Sequence, residues 1–242
     1  MLLATTAVLS LAGCGDGAAN VATTNAATPA AVLAPGARDW TQTVVATPQG
    51  GFRMGNPDAP VKLVEFGSMT CHVCRDFSKD GSAPLQDNYV KTGQVSFEFR
   101  NFIRDPYDIV VSLLARCGGA RPFFKLTEQL YTEQDAFVKR AQTMTPAQIK
   151  AMDALPVPQQ FAQLARVMEL DKFVGMRGIP AAKAQACVAD QAATDRLVES
   201  TQSAGKQYSI DGTPTFLIND KPVENAVQWA TLEPKIKAAL GS

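Results

Sequence analysis

Hydrophobic residues recur with a strand period at both ends of this chain and with a helix period between them. Residues 61–66, Val-Lys-Leu-Val-Glu-Phe, predict a strand buried on both faces, and 41–47 and 95–102 predict two more. A helix is expected from about residue 74 to residue 89, interrupted at Asp80-Gly81. A strand–helix–strand unit of this kind favours a parallel strand pair.

Helical spacing dominates the next hundred residues. Thr145-Pro146 reads as an N-cap followed by proline at the first helical position, and a helix beginning near Asp190 is expected to end at Gly205. Strand signals return at 215–218, with a short partner strand from Val223 and a last helix that Thr231 can cap.

This order of elements predicts one α/β domain with a helical insertion of about 100 residues between its two sheet-forming halves. The first sheet-forming part is expected at 40–106, the helical insertion at 107–205 and the second sheet-forming part at 206–242.

The first 39 residues have a different character. Residues 1–13 resemble a bacterial lipoprotein signal peptide, with a short apolar stretch ending in Leu-Ala-Gly before Cys14, the residue that such a signal presents for lipidation. No Lys or Arg precedes the apolar stretch, a departure that an upstream start codon would explain. The alternative, a buried first helix with a core cysteine, fits Gly-Cys-Gly-Asp-Gly poorly. Residues 14–39, rich in Ala, Thr, Asn, Pro and Gly, predict a flexible tether.

Charge and histidine content exclude several classes of protein. Lys plus Arg and Asp plus Glu number 23 each, so no charge excess favours nucleic acid. Histidine occurs once, as His72, which excludes a nucleophile paired with a distant histidine base and excludes zinc sites with several histidines. No cofactor and no metal are expected.

The strongest chemical signal is Cys71-His72-Val73-Cys74, placed between a buried strand and a helix. A cysteine just before a helix N-terminus has its thiolate favoured by unpaired N–H groups and the helix dipole, so Cys71 is expected to be the nucleophile. Cys74, one turn later, is expected to be the resolving thiol, and His72 can add positive charge beside Cys71. The alternatives are half of a zinc site completed by Cys117 and Cys187, or a structural disulfide.

Two further signals accompany this motif. Glu65 shares a strand face with Val61 and Leu63, which predicts a buried proton acceptor serving Cys74, the alternative being a solvated acid at the strand end. Thr213-Pro214 opens the later strand and predicts a cis peptide bond, although most such prolines are trans.

Together these features resemble the DsbA-like thiol–disulfide oxidoreductases of the thioredoxin superfamily. The resemblance covers about residues 40–240. It is carried by Asn-Pro-Asp-Ala-Pro-Val at 56–61, Glu-Phe at 65–66, the Cys-x-x-Cys motif, the helical insertion and Gly-Thr-Pro-Thr-Phe at 212–216. It implies a thioredoxin fold, an exposed nucleophile at Cys71, a resolving Cys74, a buried acid at Glu65, and a cis Pro214 facing the cysteines with Thr213 contacting substrate.

The implied enzyme introduces disulfide bonds into exported proteins with free thiols, on the periplasmic side of a bacterial membrane, lipid-anchored at Cys14 and serviced by a membrane redox partner. Two departures leave the direction of electron flow open, because the dipeptide between the cysteines tunes the redox potential. Here His72 follows the first cysteine instead of preceding the second, and Thr213 before the proline also occurs in isomerase-type relatives. A reductase or isomerase of the same fold and a redox-silent zinc or peptide-binding module are the rival hypotheses.

Cys117 and Cys187 lie on or near apolar stripes of the helical insertion. In an oxidising compartment they are expected to form a second, structural disulfide. The alternative is two buried free thiols.

Overall fold

A computed structural model of the chain describes Met1 and residues 38–241. The expected lipoprotein signal after Met1, Cys14 and the tether up to residue 37 lie outside the described residues, so these expectations stay predictions. No helix in the described part of the chain is long and apolar enough to cross a membrane.

Six strands form one sheet in the order β1-β2-β4-β3-β5-β6. The central strands β3 and β4 are parallel, as the sequence predicts, and the other neighbouring strands pair antiparallel. The strands are β1 Val44–Ala46, β2 Phe52–Met54, β3 Val61–Gly67, β4 Val95–Asn101, β5 Thr215–Ile218 and β6 Lys221–Pro222.

Ten α-helices accompany the sheet in the described residues. Six of them, α3 to α8, lie wholly within the stretch predicted as an insertion, and α2 begins one residue before it. The helices are α1 His72–Leu85, α2 Pro106–Arg116, α3 Phe123–Thr132, α4 Gln134–Gln142, α5 Pro146–Asp153, α6 Val157–Val167, α7 Leu170–Gly175, α8 Ala181–Val188, α9 Gln191–Tyr208 and α10 Trp229–Leu240.

Helices cover both faces of the sheet, which is how a mostly buried central strand is stabilised. On one face Phe77 of α1 packs on Phe216 of β5 with ring centroids 4.6 Å apart, and Phe123 of α3 stacks on Phe52 of β2 at 4.2 Å. On the other face Ala204 of α9 packs in a cluster with Val64, Phe66 and Leu217. The last helix of the predicted insertion is therefore part of the sheet's own packing, and the predicted boundary at residue 205 falls inside α9.

Several local expectations were wrong at element ends. Instead of one strand over 41–47, a 3₁₀ turn capped by Asp39 occupies Trp40–Gln42 and the strand is confined to Val44–Ala46. The second strand, Phe52–Met54, has no counterpart among the predicted strands. The helix expected to end at Gly205 continues to Tyr208. The last helix begins at Trp229 with Gln228 as its N-cap, and Thr231 completes the capping box instead of providing the cap itself.

Gly81 does not interrupt the first helix. Helix α1 runs through it, followed by a π-helical turn at Gln86–Val90. A Cβ at Gly81 would lie 2.9 Å from the Phe77 ring and 3.2 Å from the Trp229 side chain. Glycine at this position allows α10 to pack closely against α1, which a local propensity argument does not reveal.

Candidate active site

The chain places Cys71 at the junction of the central strand and the first helix. Strand β3 ends at Gly67, a three-residue turn follows, and Cys71 is the N-cap of α1 with extended backbone angles. The Cys71 N–H donates to the Ser68 carbonyl at 3.2 Å, which closes the turn. The first N–H groups of a helix have no intrahelical partner, so they are available to the Cys71 sulfur.

Cys71 is buried, with 3% of its surface exposed, whereas the resemblance implies an exposed nucleophile. The expectation of exposure is therefore wrong for this conformation. The reason is the loop before β5, because the Cys71 Sγ donates a hydrogen bond to the Thr213 carbonyl at 3.1 Å. Both Cys71 and Cys74 are free thiols in the structure.

The surroundings of Cys71 lower its thiol pKa from 9.0 to about 5. The largest cause is a hydrogen bond from the Cys74 thiol, and burial opposes it. The Thr213 side chain and the backbone N–H groups of Cys74 and Val73 add smaller contributions in the same direction. The Thr213 hydroxyl oxygen is buried and has no hydrogen-bond partner among the described residues, which leaves this hydroxyl available to a thiolate at Cys71.

Cys74 has the opposite environment, one helical turn deeper. It is fully buried, and burial raises its thiol pKa well above the usual value. Its hydrogen bond to Cys71 and the negative charges of Glu65 and Cys71 raise the pKa further. The two sulfurs are thus differentiated, with the negative charge favoured on Cys71 and the proton on Cys74, which is the asymmetry that the predicted roles of nucleophile and resolving thiol need.

Glu65 lies on the strand face predicted for it and is 3% exposed, so the alternative of a solvated acid is excluded. Its Oε1 has no hydrogen-bond partner in the described part of the chain. Burial, and next the charge of Cys71, raise the carboxyl pKa from 4.5 to about 8. A carboxyl with this pKa is protonated at neutral pH and is suited to exchange a proton with a nearby thiol.

Of the remaining predicted site residues, Thr213 contacts Cys71, whereas His72 lies at the surface. The peptide bond between Thr213 and Pro214 is cis, and the Thr213 carbonyl contacts Cys71. His72 is the first residue of α1 and is exposed. A role for His72 stays a prediction.

Cys117 and Cys187 are joined by a disulfide, with Cα atoms 5.8 Å apart. A four-cysteine zinc site is therefore excluded, because two of its four sulfurs are bonded to each other. Within residues 38–241 no group of three or more His, Cys, Asp and Glu side chains is placed to hold a metal ion.

Sequence reasoning missed several buried polar residues of the helical insertion that contact the turn before Cys71, among them Asp108 and Tyr131. Asp108 of α2 is fully buried and accepts a hydrogen bond from the Met69 N–H at 2.8 Å. Burial raises its carboxyl pKa to about 7. Tyr131 of α3 donates its hydroxyl to the Ser68 carbonyl at 3.2 Å. The only local signal was the Asp105-Pro106 helix start near Asp108, which says nothing about the distant turn that Asp108 contacts.

Comparison with known proteins agrees with this geometry. A family model described as thioredoxin matches residues 47–238. A Rickettsia bellii protein provisionally named protein-disulfide oxidoreductase is 25% identical over 172 residues, which are 71% of this chain and 58% of that protein. Disulfide bond formation protein D of Bacillus subtilis is 23% identical over 188 residues, 77% of this chain and 76% of that protein. The chain thus spans less than two thirds of the length of the rickettsial relative.

Solved structures confirm the predicted fold. The crystal structure of a protein-disulfide isomerase from Novosphingobium aromaticivorans has 30% sequence identity and a TM-score of 0.74, and the match covers 78% of this chain and 97% of that one. Wolbachia pipientis alpha-DsbA1 has 18% identity and a TM-score of 0.63, covering 81% of this chain and 94% of that one.

Proposed function

Because this chain belongs to the thioredoxin family, we propose that it is a thiol–disulfide oxidoreductase that introduces disulfide bonds into exported proteins through Cys71 and Cys74. The observation that carries the proposal is the stabilised thiolate of Cys71, whose pKa is lowered to about 5 beside a Cys74 thiol that keeps its proton. A stabilised thiolate favours the reduced form of a dithiol pair, so the oxidised pair is a strong acceptor of electrons.

The first step of the proposed reaction opens the Cys71–Cys74 disulfide. A substrate thiolate attacks the Cys71 sulfur, a mixed disulfide forms, and the Cys71–Cys74 bond breaks with its electron pair going to Cys74. Cys74 takes up a proton, because its thiol pKa is well above the usual value. Glu65, protonated at neutral pH, is the buried group that supplies this proton.

The second step releases the product. A second substrate thiolate attacks the substrate sulfur of the mixed disulfide, and Cys71 leaves as a thiolate stabilised by the Cys74 thiol and the helix N-terminus. The substrate has then lost two electrons and gained one disulfide, while the enzyme holds the reduced pair. A membrane redox partner that accepts two electrons restores the Cys71–Cys74 disulfide.

We place this reaction outside the cytoplasm, on the periplasmic side of a bacterial membrane, with Cys14 as the lipid anchor. Two features support the location: the lipoprotein-like sequence before Cys14, and the Cys117–Cys187 disulfide, a bond that persists in oxidising compartments. Mass spectrometry of the N-terminal peptide from membranes tests it, with a diacylated Cys14 expected and an unmodified Cys14 contradicting the anchor.

Disulfide isomerisation is the second candidate, favoured by the name of the Novosphingobium relative, a protein-disulfide isomerase. The same thiolate then attacks a wrong disulfide of the substrate, and the enzyme begins and ends reduced. The two candidates differ in which redox state of Cys71 and Cys74 is maintained in the cell.

Redox equilibration with glutathione tests the main proposal. We expect an oxidising potential, near that of known disulfide donors and far above the roughly −270 mV of thioredoxin. A potential close to that of thioredoxin, or a Cys71 thiol that titrates near its ordinary pKa, would contradict the oxidase. Alkylation of protein trapped in cells separates the second candidate, since an isomerase is recovered reduced and an oxidase is recovered oxidised.

A further inference from the structure

Gln134, the first residue of α4, lies in the helical insertion and contacts the turn at residues 68–71, which carries Cys71 and is called the active-site turn below. Gln134 is buried, with only 2% of its surface exposed. The side-chain Nε2 donates to two main-chain carbonyls, those of Met69 and Cys71, at 3.0 Å each. One amide group therefore holds the backbone on both sides of Thr70 and reaches the nucleophile residue itself.

Other side chains in or next to the helical insertion also form hydrogen bonds to this turn. Tyr131 donates to the Ser68 carbonyl at 3.2 Å, and Asp108 accepts from the Met69 N–H at 2.8 Å. Asp105 accepts from the Thr70 hydroxyl at 2.9 Å. Every residue from Ser68 to Cys71 is thus hydrogen-bonded to a residue of α2 to α4 or of the N-cap before α2. Gln134 differs from the others because it alone of this set bonds to Cys71.

The position of the Cys71 sulfur depends on this backbone. The Cys74 thiol stabilises the thiolate most, and the Val73 and Cys74 N–H groups add smaller contributions. All of these donors belong to the first turn of α1, so the stabilisation depends on the sulfur lying over the start of that helix. Hydrogen bonds weaken steeply once the distance or angle departs from its preferred value. A small rotation of the peptide units beside Cys71 is therefore sufficient to remove these donors from the sulfur.

We propose that Gln134 is a positioning residue for the active site, holding the Met69 and Cys71 carbonyls so that the Cys71 sulfur stays over the N-terminus of α1. This inference rests on the proposed function, since it takes Cys71 as the nucleophile. The inference gives the helical insertion a role in the chemistry. Helix α4 belongs to that insertion, whereas the Cys71 sulfur belongs to the first sheet-forming part.

The test replaces the amide with a side chain of similar length that cannot donate. Without Gln134 the Met69 carbonyl loses a buried donor, and the Cys71 carbonyl keeps only the Arg75 N–H, so the turn is expected to shift toward another partner. In the full chain carrying Gln134→Met, we expect the Cys71 pKa to rise by about one unit, which lowers the thiolate fraction at pH 4 about tenfold. Thiolate ultraviolet absorbance against pH, and iodoacetamide alkylation rates at pH 4, measure this on protein reduced at Cys71 and Cys74.

The matched control is Gln142→Met, the same replacement at an exposed position at the end of the same helix. It is expected to titrate like the natural protein. A second variant, Gln134→Glu, keeps the side-chain shape, and its protonated carboxyl at pH 4 offers one donor in place of two. Its iodoacetamide alkylation rate at pH 4, where this carboxyl is protonated, is expected to lie between the rates of the natural protein and Gln134→Met, which keeps the proposal testable if the methionine variant does not fold.

An unchanged Cys71 titration in Gln134→Met, with or without a lower melting temperature, would overturn the positioning role, because loss of packing alone leaves the thiolate unaffected. An equal shift of the titration in Gln142→Met would overturn it as well, since that residue does not reach the turn. Failure of the proposed function has a different signature: in the natural protein itself, Cys71 then titrates near its ordinary value, whatever the Gln134 variants show.

Discussion

The two cysteine pairs of this protein differ in bonding state, although each contains a buried cysteine. Cys71 and Cys74 are free thiols, whereas Cys117 and Cys187 are bonded across a sequence separation of 70. Burial does not separate them, since Cys71 is 3% exposed and Cys117 8%. Position relative to helix ends does: Cys71 caps the N-terminus of α1, while Cys117 caps the C-terminus of α2.

The two pairs also differ in the hydrogen-bond donors near each sulfur. The Cys74 thiol and, to a smaller extent, the N–H groups at the start of α1 stabilise negative charge on Cys71. Cys117 and Cys187 lie instead at the C-terminal ends of α2 and α8, where the backbone groups without an intrahelical partner are carbonyls and not N–H groups. Disulfide exchange needs a thiolate as leaving group, so the first pair is expected to exchange readily and the second to resist reduction.

The largest expected effect is on disulfide-forming activity, which should require the Cys71–Cys74 pair but not the Cys117–Cys187 pair. Cys71→Ser removes the stabilised thiolate, so the rate of disulfide formation in a reduced two-cysteine peptide should fall at least about a thousandfold, because the remaining Cys74 is buried with a raised pKa. Chromatography of the peptide products measures the rate. The Cys117→Ala/Cys187→Ala variant serves as control and should keep most of the activity. Undiminished disulfide formation by Cys71→Ser would contradict the role of Cys71 as the nucleophile.

The second effect separates the pairs by stability. Opening the loop of the Cys117–Cys187 disulfide should lower the free energy of unfolding by about 4 kcal/mol on the chain-entropy account. Urea denaturation of Cys117→Ala/Cys187→Ala against the natural protein measures it. The Cys71 titration should stay near pH 5 in this variant. If exchange activity fell as far as in Cys71→Ser, the division into catalytic and structural pairs would be wrong.

The third effect concerns Glu65, the buried acid beside Cys71 and Cys74. The pKa of Glu65 is about 8 when folded and near 4.3 when unfolded, so its contribution to stability is complete below about pH 4.3 and is lost as pH rises through 8. Glu65→Gln should therefore lack on the order of 3 kcal/mol of this loss between pH 5 and pH 9. This value allows for water entry around the carboxylate and for oxidised protein, in which burial still raises the Glu65 pKa but Cys71 carries no charge. Urea denaturation of the oxidised proteins at both pH values measures the difference.

Oxidised protein is required for that comparison because in reduced protein the Cys71 thiol changes the free energy of unfolding with pH in the opposite direction. Its pKa is about 5 when folded and near 8.5 when unfolded, so it stabilises reduced protein above about pH 8.5 and loses that contribution as pH falls through 5. Parallel pH curves for the oxidised natural protein and Glu65→Gln would contradict the buried, protonated state of Glu65.

The smallest effect is expected at His72. Its side chain is exposed, where solvent and salt weaken any charge interaction with Cys71. His72→Ala should raise the Cys71 pKa by only about 0.3 unit. The same thiolate titration measures it, and a rise above one unit would show that the imidazole is a main source of thiolate stabilisation after all.

Local pattern was sufficient for the core of the site. The alternation in β3 predicts the buried face of Glu65, and the strand–turn–helix order predicts Cys71 at a helix N-terminus, because both depend on neighbours within a few residues. The parallel pairing of β3 and β4 follows from the same order.

What local pattern did not reveal lies far apart in the chain. Thr213, which covers the Cys71 sulfur, is 142 residues away, and Gln134, which holds its carbonyl, is 63 residues away. Periodicity indicates which face of an element is apolar, and not which other element contacts it. The exposure of Cys71 and the second strand were therefore mispredicted or missed, and Asp108 went unnoticed.

The sequence alone determined which residues carry the sulfur chemistry and at which helix end they lie, since these follow from covalent neighbours and helix geometry. Only the tertiary structure decided how strongly each group is perturbed. The pKa values of Cys71, Cys74 and Glu65 depend on burial and on hydrogen-bond donors that folding brings from distant segments, and a hydrogen bond or a desolvated charge exists only when those segments meet.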